Sequence, residues 1–167
     1  MNGKQIIRIL QTIHIALTIG IIMSNLIIYL ALKPENTIFE LQNALLFSGA
    51  LCILNLFAYL MQRKINQNKI EKLCLEKNLK QKMQKYISYS IINMAFIELF
   101  SFVPLVFYFL FGHPLLLTAS LFSVFLLILI RPTLHKCINE LHLDFNEQNQ
   151  MMDDTFAITD AKQFQKN

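Results

Sequence analysis

The chain has 167 residues, of which 54% are hydrophobic and only 16% are charged, and its formal net charge is +4. The apolar residues stand in long unbroken runs. This pattern disfavours a water-soluble domain, because a soluble helix carries its apolar residues in one stripe about 100° wide. The basic residues lie beside these runs without a nucleic-acid motif, so nucleic acid is not expected as a partner.

Four apolar segments are long enough to cross a bilayer, since about 17 to 27 residues at about 1.5 Å each match a hydrocarbon core of about 30 Å. They predict an all-α membrane protein with a bundle of four transmembrane helices in residues 1–134 and a tail in residues 135–167. The first span is expected to be a retained signal anchor, because its apolar run is longer than that of a signal peptide. The predicted spans are about 6–32, 39–61, 86–111 and 114–130.

The link between spans two and three is strongly basic, whereas the other two links hold only Lys33. By the positive-inside rule, this link and both termini are expected on the cytoplasmic side of a multi-pass protein of the cell inner membrane. Residues 65–85 contain no Gly or Pro and predict a helix that extends span three. Its lysines serve either as a solvated topogenic link or as contacts for anionic headgroups.

The remaining predictions concern the link between spans three and four and the tail. Spans three and four are joined by residues 112–114 alone, which predicts antiparallel neighbours. In the tail, Leu134, Ile138 and Leu141 repeat at helical spacing and predict a short amphipathic helix on the membrane surface. After Asp144 the chain is rich in Asn, Gln and Asp and is expected to be flexible.

A polar side chain stands near the cytoplasmic end of every span: His14, Asn55, Asn93 and Ser123. Counted from the basic residues at the span ends, all four lie about 9 to 12 Å deep, in one layer. We expect them to form hydrogen bonds between helices. The alternative is that the layer, with His14, belongs to a proton or solute path, since histidine is a common proton carrier.

Glu98 is the unusual residue of span three. It stands thirteen residues beyond Lys85, or about 20 Å deep, and no span contains a basic residue to pair with it. We therefore predict a neutral carboxyl, held either by a hydrogen bond to Ser24 or Ser48 or serving as a protonation site. Pro104, six residues later, predicts a kink or hinge.

The run Ala-Phe-Ile-Glu-Leu-Phe at residues 95–100, with Arg-Pro-Thr at residues 131–133 and Leu141, resembles small uncharacterised bacterial four-span inner-membrane proteins. This resemblance implies a location but no activity. Small multidrug resistance transporters also combine four spans with one acid. They carry it in the first span beside a characteristic tryptophan, and this chain has no tryptophan.

No catalytic machinery is visible in the sequence. Cys52, Cys74 and Cys137 have neither CxxC nor another ligand spacing, and a nucleophile-base pair, a metal-spaced histidine cluster and a phosphate-binding loop are all missing. We expect a structural or accessory subunit without catalysis or cofactor, bound to the lipid bilayer and to itself or a larger complex. The alternative is a proton-linked small-solute transporter that uses Glu98 and His14.

Overall fold

The computed structural model describes residues 3–32, 40–76 and 78–152, and all regular secondary structure in these ranges is helical. The prediction of an all-α protein is therefore confirmed. The link at residues 33–39, with the predicted break after span one, lies outside the described residues, as does the end of the tail. The six helices are α1 (Gly3–Ala31), α2 (Leu41–Cys74), α3 (Leu79–Phe111), α4 (Leu115–Leu129), α5 (Leu134–Glu140) and α6 (Phe145–Met152).

Three helices, α1, α2 and α3, are long and apolar enough to cross a membrane, with 29, 34 and 33 residues. With 15 residues, α4 measures only about 22 Å and counts as a candidate span only together with α5, from which a bend separates it. The chain is thus a multi-pass membrane protein with three or four candidate spans. The side of the membrane on which each end lies stays a prediction.

The helices contribute to two compact units that interleave along the chain. The division into a membrane domain over residues 1–134 and a tail over residues 135–167 stays a prediction. The apolar unit contains residues 14–63 and 93–131, and the basic unit contains residues 1–13, 64–92 and 132–167, each as far as described. The basic unit arises because α2 and α3 continue past their apolar runs into lysine-rich sequence.

In the apolar unit, α4 is the most enclosed helix, and its buried face includes Ser120 and Ser123. Two apolar clusters fill the interior, one around Tyr108 and Leu116 and the other around Ile97. The outer faces are apolar and exposed: only 17% of the apolar stretch of α1 is buried, against 33% for α2 and for α3. Such outer faces are suited to lipid.

Contacts inside the apolar unit give the relative directions of its helices. The bonds of Ser48 to Leu115 and of Asn55 to Ser123 join residues 67 and 68 positions apart, so α2 and α4 run parallel. The bonds that join α1 to α4 span 113 positions at one end and 95 at the other, so these two helices run antiparallel.

In the basic unit, the end of α2 and the start of α3 form a helical hairpin. Lys69 of α2 lies 5.4 Å from the ring centroid of Tyr89 of α3, and Glu76 pairs with Lys85. The link between spans two and three is therefore helical but interrupted, and the expected continuous helix over residues 65–85 is wrong. Asn78 explains the break, because its side chain accepts a hydrogen bond from the backbone N–H of Lys80 at 3.0 Å and caps the start of α3.

The tail contains two helices where the sequence predicts one. Thr133 caps α5 by accepting a hydrogen bond from the N–H of Lys136. The second helix, α6, occupies residues that were expected to be irregular, because Glu147 accepts a hydrogen bond from the N–H of Asp144, as in a capping box, and also pairs with the buried Lys82. Residues 153–167 lie outside the described part of the chain.

Candidate functional site

Polar side chains of α2 bond to α4 at two levels of the apolar unit. Asn55 Nδ2 donates to the backbone oxygen of Ala119 at 3.0 Å and to Ser123 Oγ at 3.1 Å. Two turns earlier in α2, Ser48 Oγ donates to the backbone oxygen of Leu115 at 2.8 Å and lies 3.0 Å from Thr118 Oγ1. In a membrane each such contact stabilises helix packing by about 0.6 to 2 kcal/mol.

Helix α1 bonds to the other side of α4. His14 Nε2 lies 2.8 Å from the backbone oxygen of Leu127 and must donate there, since a carbonyl only accepts. Asn25 Nδ2 donates to Ser120 Oγ at 2.9 Å and to the backbone oxygen of Ile21 at 2.8 Å. Asn25 Oδ1 is buried and accepts no hydrogen bond from the described residues. Together these bonds place α4 at the centre of an internal polar seam.

The structure joins only part of the predicted polar layer. Asn55 and Ser123 are hydrogen-bonded directly, and His14 bonds one turn of α4 further on, at Leu127. Asn93 is half-buried on α3 and takes part in none of these bonds. The sequence reading missed Ser120, whose spacing of three from Ser123 puts both hydroxyls on one face of α4.

The Glu98 carboxyl lies at the edge of the contact between α3 and α1. Glu98 is half-buried between the buried Ile97 and the exposed Leu99. A Cβ atom built on Gly20 would lie 3.8 Å from Glu98 Oε1, an ordinary van der Waals distance, so the carboxyl lies directly beside this glycine of α1. Glu98 is thus neither in the centre of the bundle nor wholly on its outer surface.

The hydrogen bond expected between the Glu98 carboxyl and a serine is not found. Ser48 bonds to α4 instead, and Ser24 is half-buried on α1 without such a bond. Among the described residues, no side chain or backbone group donates a hydrogen bond to this carboxyl, and no Lys or Arg pairs with it. The protonation state of Glu98 stays a prediction.

Two residues near Glu98 affect the backbone of α3. Ser101 Oγ donates to the backbone oxygen of Glu98 at 2.6 Å, a back-bond of the kind that bends helices slightly. Pro104 is buried inside α3, which continues through it to Phe111. Proline cannot donate the helical bond to the oxygen of Phe100, and the resulting kink stays a prediction.

His14 and Glu98 occupy separate places. His14 bonds to α4, whereas Glu98 lies beside Gly20, which is six residues or about 9 Å further along α1. No hydrogen bond joins the two side chains within the described ranges. A proton that passes between them would therefore need at least one intervening group.

Residues 3–32, 40–76 and 78–152 contain no cluster of three or more His, Cys, Asp or Glu side chains that could hold a metal ion.

Comparison with known proteins identifies no family, since no family model, curated protein or solved structure matches the chain. The site must therefore be interpreted from its own geometry.

Proposed function

We propose that the protein is a small structural or accessory subunit of a membrane complex, without catalytic activity. The observation that carries this proposal is the Glu98 carboxyl, which receives no hydrogen bond from the described residues. His14, Ser48 and Asn55 bond to α4 within the same unit. An acid left unpaired at this depth costs several kcal/mol when ionised and still needs a partner when neutral.

The exposed apolar faces alone do not distinguish a subunit from a solitary membrane protein, because lipid covers either equally well. A carboxyl is different, because lipid tails offer it no hydrogen bond. A neighbouring protein can supply that bond, so association through the Glu98 edge of α3 removes the energetic cost. The proposed location is the inner membrane, with both termini in the cytoplasm because of the lysine-rich link.

The test uses the tagged full chain, extracted from its own membranes with surrounding lipid by a styrene–maleic acid copolymer. We expect the wild-type chain to migrate in an assembly well above its own 19.5 kDa. Glu98→Leu should shift it to smaller species, while Leu46→Ala, at an exposed position of α2, should leave the assembly intact. A wild-type protein that migrates as one copy without partners would contradict the proposal.

A proton-linked small-solute transporter is the second candidate. It is supported by the same open carboxyl, which is available for proton exchange, and by the imidazole of His14. The bond from His14 to Leu127 and the separation of about 9 Å along α1 count against a direct relay. In proteoliposomes under a pH gradient, Glu98→Gln should abolish any solute flux that depends on pH. Unchanged flux in that variant would eliminate this candidate.

A further inference from the structure

One acidic side chain of the apolar unit has no basic partner among the described residues of that unit. Among its described residues, Glu98 is the only acidic side chain inside a helix. The described Lys and Arg residues of the unit are Arg63 and Arg131, which lie at the ends of the apolar stretches of α2 and α4. Neither forms an ion pair with Glu98. Within the described part of the unit, no Lys or Arg therefore compensates the charge that Glu98 would carry when ionised.

The carboxyl is also accessible to a neighbour. It is half-buried, it lies beside a glycine that has no side chain to cover it, and the next residue, Leu99, is 64% exposed. A helix packed against this edge of α3 and α1 would bring its own side chain to Glu98. In a medium of low dielectric constant, a cation there is attracted far more strongly than in water.

We infer that the edge formed by Glu98 of α3 and Gly20 of α1 binds a transmembrane helix of another protein that carries a Lys or Arg at the same depth. This inference rests on the proposed subunit function and specifies the chemistry of the partner. The basic group forms an ion pair and donates hydrogen bonds to the carboxyl, which then ionises. Each charge compensates the cost of burying the other.

A second copy of this chain fits the edge less well. Two copies in the same orientation hold Glu98 at the same depth, so a symmetric contact brings one acid against the other. The described helices of the apolar unit offer no Lys or Arg near that depth. Charge complementarity therefore favours a different protein with a basic intramembrane residue.

The experiment measures association between the full chain and synthetic transmembrane peptides in phosphatidylcholine vesicles, by energy transfer between fluorophores. One peptide is a leucine-rich helix with a single central Lys, and its controls have Leu or Glu at that position. We expect the Lys peptide to bind the wild-type chain at least tenfold more tightly than either control. Glu98→Gln should abolish this preference, Glu98→Asp should keep most of it, and Leu46→Ala, at an exposed position of α2, should leave it unchanged.

Equal binding of the three peptides, or a preference for Lys that survives in Glu98→Gln, would overturn the inference. Energy transfer between two copies of the chain that depends on Glu98 and is not displaced by the Lys peptide would also overturn it, in favour of a second copy. Circular dichroism of each variant verifies that it is folded. If the peptides fail while the native assembly persists, the subunit function stands and only the partner chemistry is wrong.

Discussion

The hydrogen bonds to α4 predict unequal contributions of Asn55 and Asn25 to stability. Asn55 makes two bonds to α4, whereas Asn25 makes one to α4 and one within its own helix, and leaves its oxygen unpaired. Asn55→Leu should therefore lower the free energy of unfolding by about 1 to 2 kcal/mol. Asn25→Leu should cost much less, because it also removes an unsatisfied acceptor. Steric trapping in bicelles measures both, and equal losses would contradict this assignment.

We expect the thiol of Cys137 to be unreactive while the protein is folded. It is fully buried in the basic unit, 3.9 Å from the sulfur of Met83, and burial, with a smaller contribution from Glu140, raises the pKa of its thiol to about 12. The raised pKa keeps the thiol protonated at neutral and mildly alkaline pH, and only the thiolate is nucleophilic.

Iodoacetamide between pH 7 and 9 should leave Cys137 unmodified in the folded chain and label it after denaturation, as measured by peptide mass spectrometry. Cys74, which is half-buried, serves as the internal comparison. Labelling of Cys137 at the same rate as Cys74 before denaturation would show that α5 does not stay packed on α3.

At the scale of whole helices, Gly3 sets how closely α6 approaches α1. A Cβ atom at this position would lie 2.7 Å from the backbone oxygen of Met151, closer than real side chains approach. Gly3→Ala should displace α6, lower stability by about 1 kcal/mol or more, and speed hydrogen exchange over residues 145–152.

Gly49 provides the matched control for that substitution. A Cβ atom at Gly49 would meet nothing within 4 Å. Gly49→Ala should therefore be neutral or stabilise α2 by about 0.5 to 1 kcal/mol, because alanine is the better helix former. If the exchange rates of residues 145–152 are unchanged in both variants, the close contact between Gly3 and α6 is not present in solution.

The ion pair between Lys82 and Glu147 joins α3 to α6. The side chain of Lys82 is only 5% exposed and lies 3.1 Å from Glu147. Glu147→Leu alone should destabilise the fold by about 3 kcal/mol, because it leaves a buried ammonium group unpaired. The double variant Lys82→Met with Glu147→Leu should recover most of that loss, except about 1 kcal/mol for the lost cap at Asp144. Thermal unfolding of the four chains tests this, and additive losses would contradict it.

The sequence predicts which segments form helices better than it predicts where each helix ends or which neighbouring helix its side chains contact. The apolar runs identify α1 to α4 because only a helix satisfies its own backbone in lipid. Counting depth places Asn55 level with Ser123, and the structure joins them. Depth does not determine how each helix is rotated about its axis, so the count could not show that Ser48 faces α4 rather than Glu98. The break at Asn78 depends on one capping side chain within a uniformly polar stretch.

For the molecule as a whole, the basic unit restricts how often the chain crosses the bilayer. Contacts within this unit tie its three segments together: Gln11 donates to the backbone oxygen of Pro132, and Lys82 pairs with Glu147. Segments in direct contact lie on the same side of a membrane. We therefore predict an even number of crossings between them, with α4 as the fourth span although it measures only about 22 Å. Local thinning of the bilayer accommodates a short span at modest cost.

Four crossings predict that the α2–α3 hairpin and the tail face the same compartment, and the lysine-rich link predicts that this compartment is the cytoplasm. Leu75 is 83% exposed in the hairpin and Phe145 is 71% exposed at the start of α6. In a background without the native cysteines, Leu75→Cys and Phe145→Cys should resist a membrane-impermeant maleimide in intact cells, and both should react in inverted vesicles. If the two positions react from opposite sides, α4 does not cross, and the contacts between α3 and α6 cannot form in the membrane.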